Sequence, residues 1–160
     1  MVHGAGEDHS VFDKLSTSLD ARFRLVLVGR RGRGTSGDHA EYKLQREAED
    51  LLAVIGGIEA PVSMFAHSYG GLVALEAARQ DDRLAALVLY EAPISLVQGP
   101  RYLRAIERMS LCHSADDMEA QFDIYLSDFI GLSRSAIDRP NPIKRAGPFG
   151  LPAPPPCSGK

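Results

Sequence analysis

The turn at His67-Ser68-Tyr69 constrains this chain more than any other feature. It follows an apolar run, residues 62–66, that reads as a strand, and it opens a helical stretch over residues 70–79. One turn must therefore carry the backbone from extended to helical. So sharp a reversal crowds the positions two residues either side of Ser68, which have to be small, and Ala66 and Gly70 meet that demand. The same bend lifts the Ser68 hydroxyl clear of the sheet and points the next backbone N–H, that of Tyr69, toward where an oxyanion would form. The opening turn of the helix adds the positive end of its dipole. The plain alternative for Ser68 is an ordinary helix N-cap.

Strand and helix signals alternate through the rest of residues 1–90. Met1-Val2 reads as the stub of a strand running into His3-Gly4-Ala5-Gly6. Residues 23–28 (FRLVLV) and 84–90 (LAALVLY) read as short buried strands. Between these, Val11, Phe12, Leu15 and Leu19 repeat at helical spacing behind Ser10 as a cap, and Leu44, Ala48, Leu51, Leu52 and Ile55 stripe a helix over residues 42–55. Apolar strands separated by helices predict an α/β fold with a parallel sheet of about four strands, covered on both faces. Beyond Glu91-Ala92-Pro93 the pattern becomes helical, over residues 100–110 and 114–130. Ser114 and Asp117 sit at capping-box spacing there, ahead of an apolar stripe of Met118, Phe122, Tyr125, Leu126, Phe129 and Ile130. Seven prolines crowd residues 139–160 and leave no room for regular structure. The expected organisation is a core over 1–95, a helical segment over 96–138 and a proline-rich disordered tail over 139–160.

Composition narrows the partners. A formal net charge of −3 over 160 residues offers no basic surface to nucleic acid or to an anionic membrane. No apolar run approaches the roughly 20 residues of a membrane span, and the N-terminal stretch lacks the basic-then-apolar pattern of a signal peptide. Cys112 and Cys157 make neither a disulfide framework nor a metal knuckle, which fits a reducing cytoplasm. No His/Cys/Asp cluster has ligand spacing, so neither a metal nor another cofactor is expected.

With these motifs in order, the chain resembles the α/β-hydrolase superfamily, whose usual elbow is G-x-S-x-G; here Ala66 replaces the first glycine. His3-Gly4-Ala5-Gly6 resembles the family's HG loop, which supplies a second oxyanion N–H, by position that of Ala5. Residues 29–36 resemble the loop D-x-R-G-x-G-x-S, with Gly29 in place of the leading Asp. Leu87-Val88-Leu89-Tyr90-Glu91-Ala92-Pro93 resembles the strand that precedes a helical cap. The resemblance implies a partial α/β-hydrolase fold and a serine hydrolase acting on a small ester-like substrate, with Ser68 as nucleophile and Ala5 and Tyr69 forming the oxyanion hole. A serine at this position argues against the carboxylate chemistry of dehalogenases and epoxide hydrolases.

A serine hydroxyl needs a base, and the base an orienting acid. In the family the order is Ser, then Asp or Glu, then His, yet residues 139–160 hold no Asp, Glu or His. The chain therefore reads as the middle of a larger domain, with bare sheet edges that predict low stability. Glu91 is a candidate acid, or else a turn contact. His113 is a candidate base, or else a surface histidine. His67 is expected to point away from the nucleophile, His39 to be solvated, and His3 to hold structural hydrogen bonds. Two rival readings stand beside the hydrolase. One is a non-catalytic member that kept the fold, whether remnant or binding module. The other is a dinucleotide-binding oxidoreductase, suggested by Gly32-x-Gly34-x-x-Gly37. That pattern wants its first glycine at the strand end and its last in a helix, whereas Arg30, Arg31 and Arg33 look like scaffolding of a loop.

Overall fold

The computed structural model describes residues 1–39, 43–94, 100–114, 117–129 and 131–138, with the backbone alone at 101, 102, 110, 113, 114, 118 and 129. The expected tail over 139–160 lies outside these residues. The chain divides into two compact units, one carried by Met1–Ile94 and the other by Ser95–Pro148.

In the first unit a 3-10 turn, His9–Phe12, leads into α1 (Asp13–Leu19). Then follow α2 (Leu44–Gly56), β1 (Val62–His67), α3 (Tyr69–Ala78) and β2 (Leu84–Tyr90). The two strands run parallel, in a register that sets Phe65 beside Val88 and His67 beside Tyr90. Of the about four strands expected, the first two shrink to single positions. Val2 bridges Ala66 on one side and Val28 on the other, both in parallel sense. After Val2 and after Val28 the chain enters a glycine-rich loop, and residues 23–27, expected in a buried strand, form no regular element and leave Phe23 and Val26 exposed. Ser10 is not the cap of the first helical turn: Asp8 is, accepting the Ser10 N–H at 2.8 Å. A carboxylate there also suits the helix dipole.

One face of the sheet carries the core. Met64 and Ala66 of β1, Ala48, Leu51 and Ile55 of α2, and Val73, Ala74 and Ala77 of α3 are all buried there with Val2. The α2 residues fall at helical spacing, and each large aliphatic side chain so buried contributes about 1.5–3 kcal/mol. The small residues of α3 let it lie close against the strand ends. On the other face Phe65 meets Phe12 edge-on at 5.8 Å and stacks with Tyr90 at 6.3 Å.

The second unit is helical: α4 (Pro100–Ser114), α5 (Met118–Ile124), a π-helical turn (Tyr125–Phe129) and α6 (Arg134–Ile137). Pro100 opens α4, where its missing N–H costs nothing. Ser114, expected to open a capping box, is the last residue of α4 rather than an N-cap; Asp117 caps α5, accepting the Ala120 N–H at 3.0 Å. Phe122, Leu126 and Ile137 form a small buried cluster with Tyr125 packed on it. Arg108 reaches Asp128 at 2.9 Å, tying α4 to the π-helical turn.

Candidate active site

The elbow forms where β1 hands over to α3. Ser68 adopts φ 48° and ψ −124°, a conformation that side chains rarely take and that costs about 1–3 kcal/mol. The surrounding contacts hold it there. Its N–H donates to the Tyr90 carbonyl at 2.9 Å, and its carbonyl accepts the Gly71 N–H at 2.8 Å. The Ser68 side chain makes no capping hydrogen bond to α3. Small neighbours are compulsory on both sides. Ala66 is fully buried, and a Cβ on Gly70 would lie 2.4 Å from the His3 carbonyl oxygen. A Cβ on Gly71 would lie 2.5 Å from that of Ala92.

The His3–Gly6 loop runs against this elbow. A Cβ on Gly4 would lie 3.1 Å from Ser68 Cβ, and Ala5, the next residue, is partly buried. The loop is anchored by His3, which is fully buried. Its Nε2 accepts the Arg30 N–H at 3.1 Å, so the proton sits on Nδ1, which donates to the Gly4 carbonyl at 3.0 Å. Burial, with the Arg30 charge adding to it, lowers the His3 pKa from 6.5 to about 4, so the ring is neutral in ordinary buffers. The Arg30 guanidinium also donates to Gly4 O at 2.8 Å, pairs with Glu47 at 2.6 Å, and lies 4.5 Å from the centre of the Tyr69 ring. Arg30 and Glu47 are both buried, and the second Glu47 oxygen, Oε1, has no hydrogen-bond partner among the described residues. Sequence reasoning missed this pair. The signal was present: Glu47 lies on the same helical stripe as Leu51 and Ile55, and a carboxylate on a core stripe demands a cation.

Of the acid and base candidates, Glu91 follows β2 with φ 53° and is 70% exposed at its side chain. Its Oε2 lies 4.0 Å from His67 Nε2. His67 meets Glu7 on its other nitrogen, with Nδ1 3.0 Å from Glu7 Oε2. Glu7 was not singled out from sequence. His39 is exposed, and its backbone N–H donates to Asp38 at 2.7 Å. The side chain of His113, on α4, lies outside the described residues. Among the described residues no group of three His, Cys, Asp or Glu side chains is placed to hold a metal ion, and no helix is long and apolar enough to cross a membrane.

The glycine-rich loop closes on itself. Gly32 N–H donates to Gly37 O at 2.9 Å, and Ser36 Oγ donates to the Gly29 carbonyl at 2.8 Å. A Cβ at position 29 would lie 2.7 Å from that hydroxyl, so a larger residue there would require Ser36 to turn its side chain away. Arg31 grips both carboxylate oxygens of Asp50, at 2.6 and 2.8 Å. Helix α2 opens only at Leu44. The three glycines thus form no strand-to-helix turn of the kind that receives a pyrophosphate, which removes the basis of the dinucleotide reading.

Comparison with known proteins agrees with the geometry. A pimeloyl-[acyl-carrier protein] methyl ester esterase of Chromobacterium violaceum is 30% identical over 133 residues, covering 82% of this chain and 51% of the relative. The chain spans about half the length of this relative, and 42% of a pimeloyl-[acyl-carrier protein] methyl ester esterase of Neisseria meningitidis that is 26% identical over 82% of this chain. Two solved structures share the fold. An alpha/beta hydrolase from Sphaerobacter thermophilus superposes with a TM-score of 0.78 at 24% identity, over 89% of this chain and 57% of that one. A hydrolase from Pseudomonas aeruginosa gives a TM-score of 0.72 at 24% identity, over 94% and 57%. The model of the alpha/beta hydrolase family matches residues 1–156, and the chain belongs to that family.

Proposed function

We propose that this chain carries the nucleophile of a serine hydrolase that acts on a small ester-like substrate. The backbone of Ser68 carries the reading: a strained serine between strand and helix, with its side chain left out of the helix cap. In the proposed reaction Ser68 Oγ attacks the acyl carbon, the Ala5 and Tyr69 N–H groups receive the oxyanion, and the ester C–O bond breaks to release the alcohol, which carries away the proton that the serine gave up. Water then releases the acid from the acyl-serine. The methyl ester in the name of the Chromobacterium violaceum relative supports an ester as the substrate class. A helical cap over residues 96–138 belongs to the same reading.

One observation favours the non-catalytic reading. The imidazoles near the elbow have other work: His3 Nδ1 donates to the Gly4 carbonyl and its Nε2 accepts the Arg30 N–H, and His67 Nδ1 faces Glu7. Labelling with a fluorophosphonate probe separates the two. Labelling of the wild type that vanishes in Ser68→Ala supports the hydrolase. Folded wild type that takes no label sinks it and leaves a member of the family that kept the fold alone.

A further inference from the structure

A single carboxylate oxygen ties together the two segments on which the oxyanion hole depends. Glu7 Oε2 accepts the Gly4 N–H at 3.0 Å and lies 3.0 Å from His67 Nδ1. Gly4 precedes Ala5, and His67 precedes Ser68. An ionised carboxylate only accepts, so beside it Nδ1 carries the ring proton and donates. The groups converge on one small space. A Cβ on Gly4 would lie 3.1 Å from each of Glu7 Oε2, His67 Nδ1 and Ser68 Cβ, and glycine leaves that space open. The pair is mostly shielded from water, with side chains 27% and 23% exposed. The other edge of the imidazole is bounded by the Tyr90 ring, 5.5 Å between centres, and by Glu91.

The sheet does not do this work. Val2 pairs with β1 through two backbone bonds, Val2 N–H to Phe65 O and His67 N–H to Val2 O, and the chain then leaves the sheet. Arg30 and His3 Nδ1 hold the Gly4 carbonyl, and Glu7 adds a tie from the Gly4 N–H to the strand end of the elbow, across 60 residues of sequence. We propose that Glu7 and His67 form a positioning pair that clamps the His3–Gly6 loop to the elbow, so that the N–H groups of Ala5 and Tyr69 converge on one oxygen. The proposal rests on reading Ser68 as the nucleophile. Two donors on separate segments stabilise a developing charge only if their spacing is set beforehand, and a displacement of about 1 Å costs up to about a hundredfold in rate.

The test is the kinetics of fluorophosphonate modification of Ser68 in the full chain. Glu7→Ala is expected to lower the inactivation rate constant about tenfold while leaving the affinity for the probe unchanged. Glu7→Gln keeps an oxygen for both donors and is expected to recover the rate to within about threefold of wild type. Wild-type kinetics in folded Glu7→Ala overturns the clamp, and so does an equal loss in both variants. If the wild type takes no label, the nucleophile reading fails by itself. The clamp is then read from amide hydrogen exchange at Gly4, expected about tenfold faster in Glu7→Ala. Unchanged exchange there overturns it.

Discussion

Lowering the pH from 7 to 5 is expected to destabilise the first unit, and the larger part of the loss is assigned to one side chain, His3. Its ring is fully buried, and both nitrogens are committed, Nε2 as an acceptor from Arg30 N–H and Nδ1 as a donor to Gly4 O. Protonating Nε2 removes the acceptor and sets a second positive charge beside the Arg30 guanidinium. Burial is the main reason the pKa falls from 6.5 to about 4. Between those values the unfolded chain binds a proton that the folded chain refuses. Stability is therefore lost as the pH drops below the unfolded value, and the loss levels off once the folded value is passed. The full shift corresponds to about 3 kcal/mol, of which about 2 kcal/mol falls between pH 7 and pH 5. The buried Met1 amino group, lowered from 8.0 to about 6, adds about 1 kcal/mol to the loss, in a His3 variant as in the wild type, whereas Asp81, drawn down to about 2 by hydrogen bonds from Arg83, titrates below this window. The assay is urea unfolding followed by circular dichroism across the pH series, for wild type and His3→Gln. The variant is expected to be less stable throughout but to lack the extra 2 kcal/mol slope. Parallel curves for the two proteins would refute the reasoning.

Two further substitutions probe how the site is built. Gly70→Ala places a methyl 2.4 Å from His3 O and 2.8 Å from Val2 O, both backbone atoms that cannot turn away. It should cost about 1–3 kcal/mol in urea unfolding, and a neutral result would mean that α3 has room to spare. Glu47→Gln removes the buried carboxylate 2.6 Å from Arg30. A loss of about 3–5 kcal/mol is expected in the same assay, and a change under about 1 kcal/mol would show that Arg30 needs no such partner.

The positions of strands β1 and β2 and of the elbow between them were legible in the sequence because their constraints are local, whereas the burial expected of β2 was not met: Val88 and Tyr90 are more than half exposed. A run of alternating or continuous apolar residues has one period, and a strand-to-helix reversal admits few residue types at fixed offsets. The stubs at Val2 and Val28 were not legible as single bridges, since their length depends on where the flanking loops leave the sheet. The caps were shifted too. Asp8 and Asp117 do the capping expected around Ser10 and Ser114, and carboxylate and hydroxyl are nearly equivalent signals in sequence.

The sequence by itself determined that residue 68 is a serine at a sharp turn with small neighbours, and that a loop of His3, Gly4, Ala5 and Gly6 comes before it. Only the tertiary structure decided what holds those two pieces together. The Arg30–Glu47 pair and the Glu7–His67 contact link residues 17 and 60 positions apart. No periodicity or spacing specifies such pairs, because a hydrogen bond is fixed by where the folded backbone brings its donor and acceptor. The same loop sequence would be compatible with a His3 in water, titrating normally. Burial against the sheet is what makes it neutral, and that burial exists only in the folded chain.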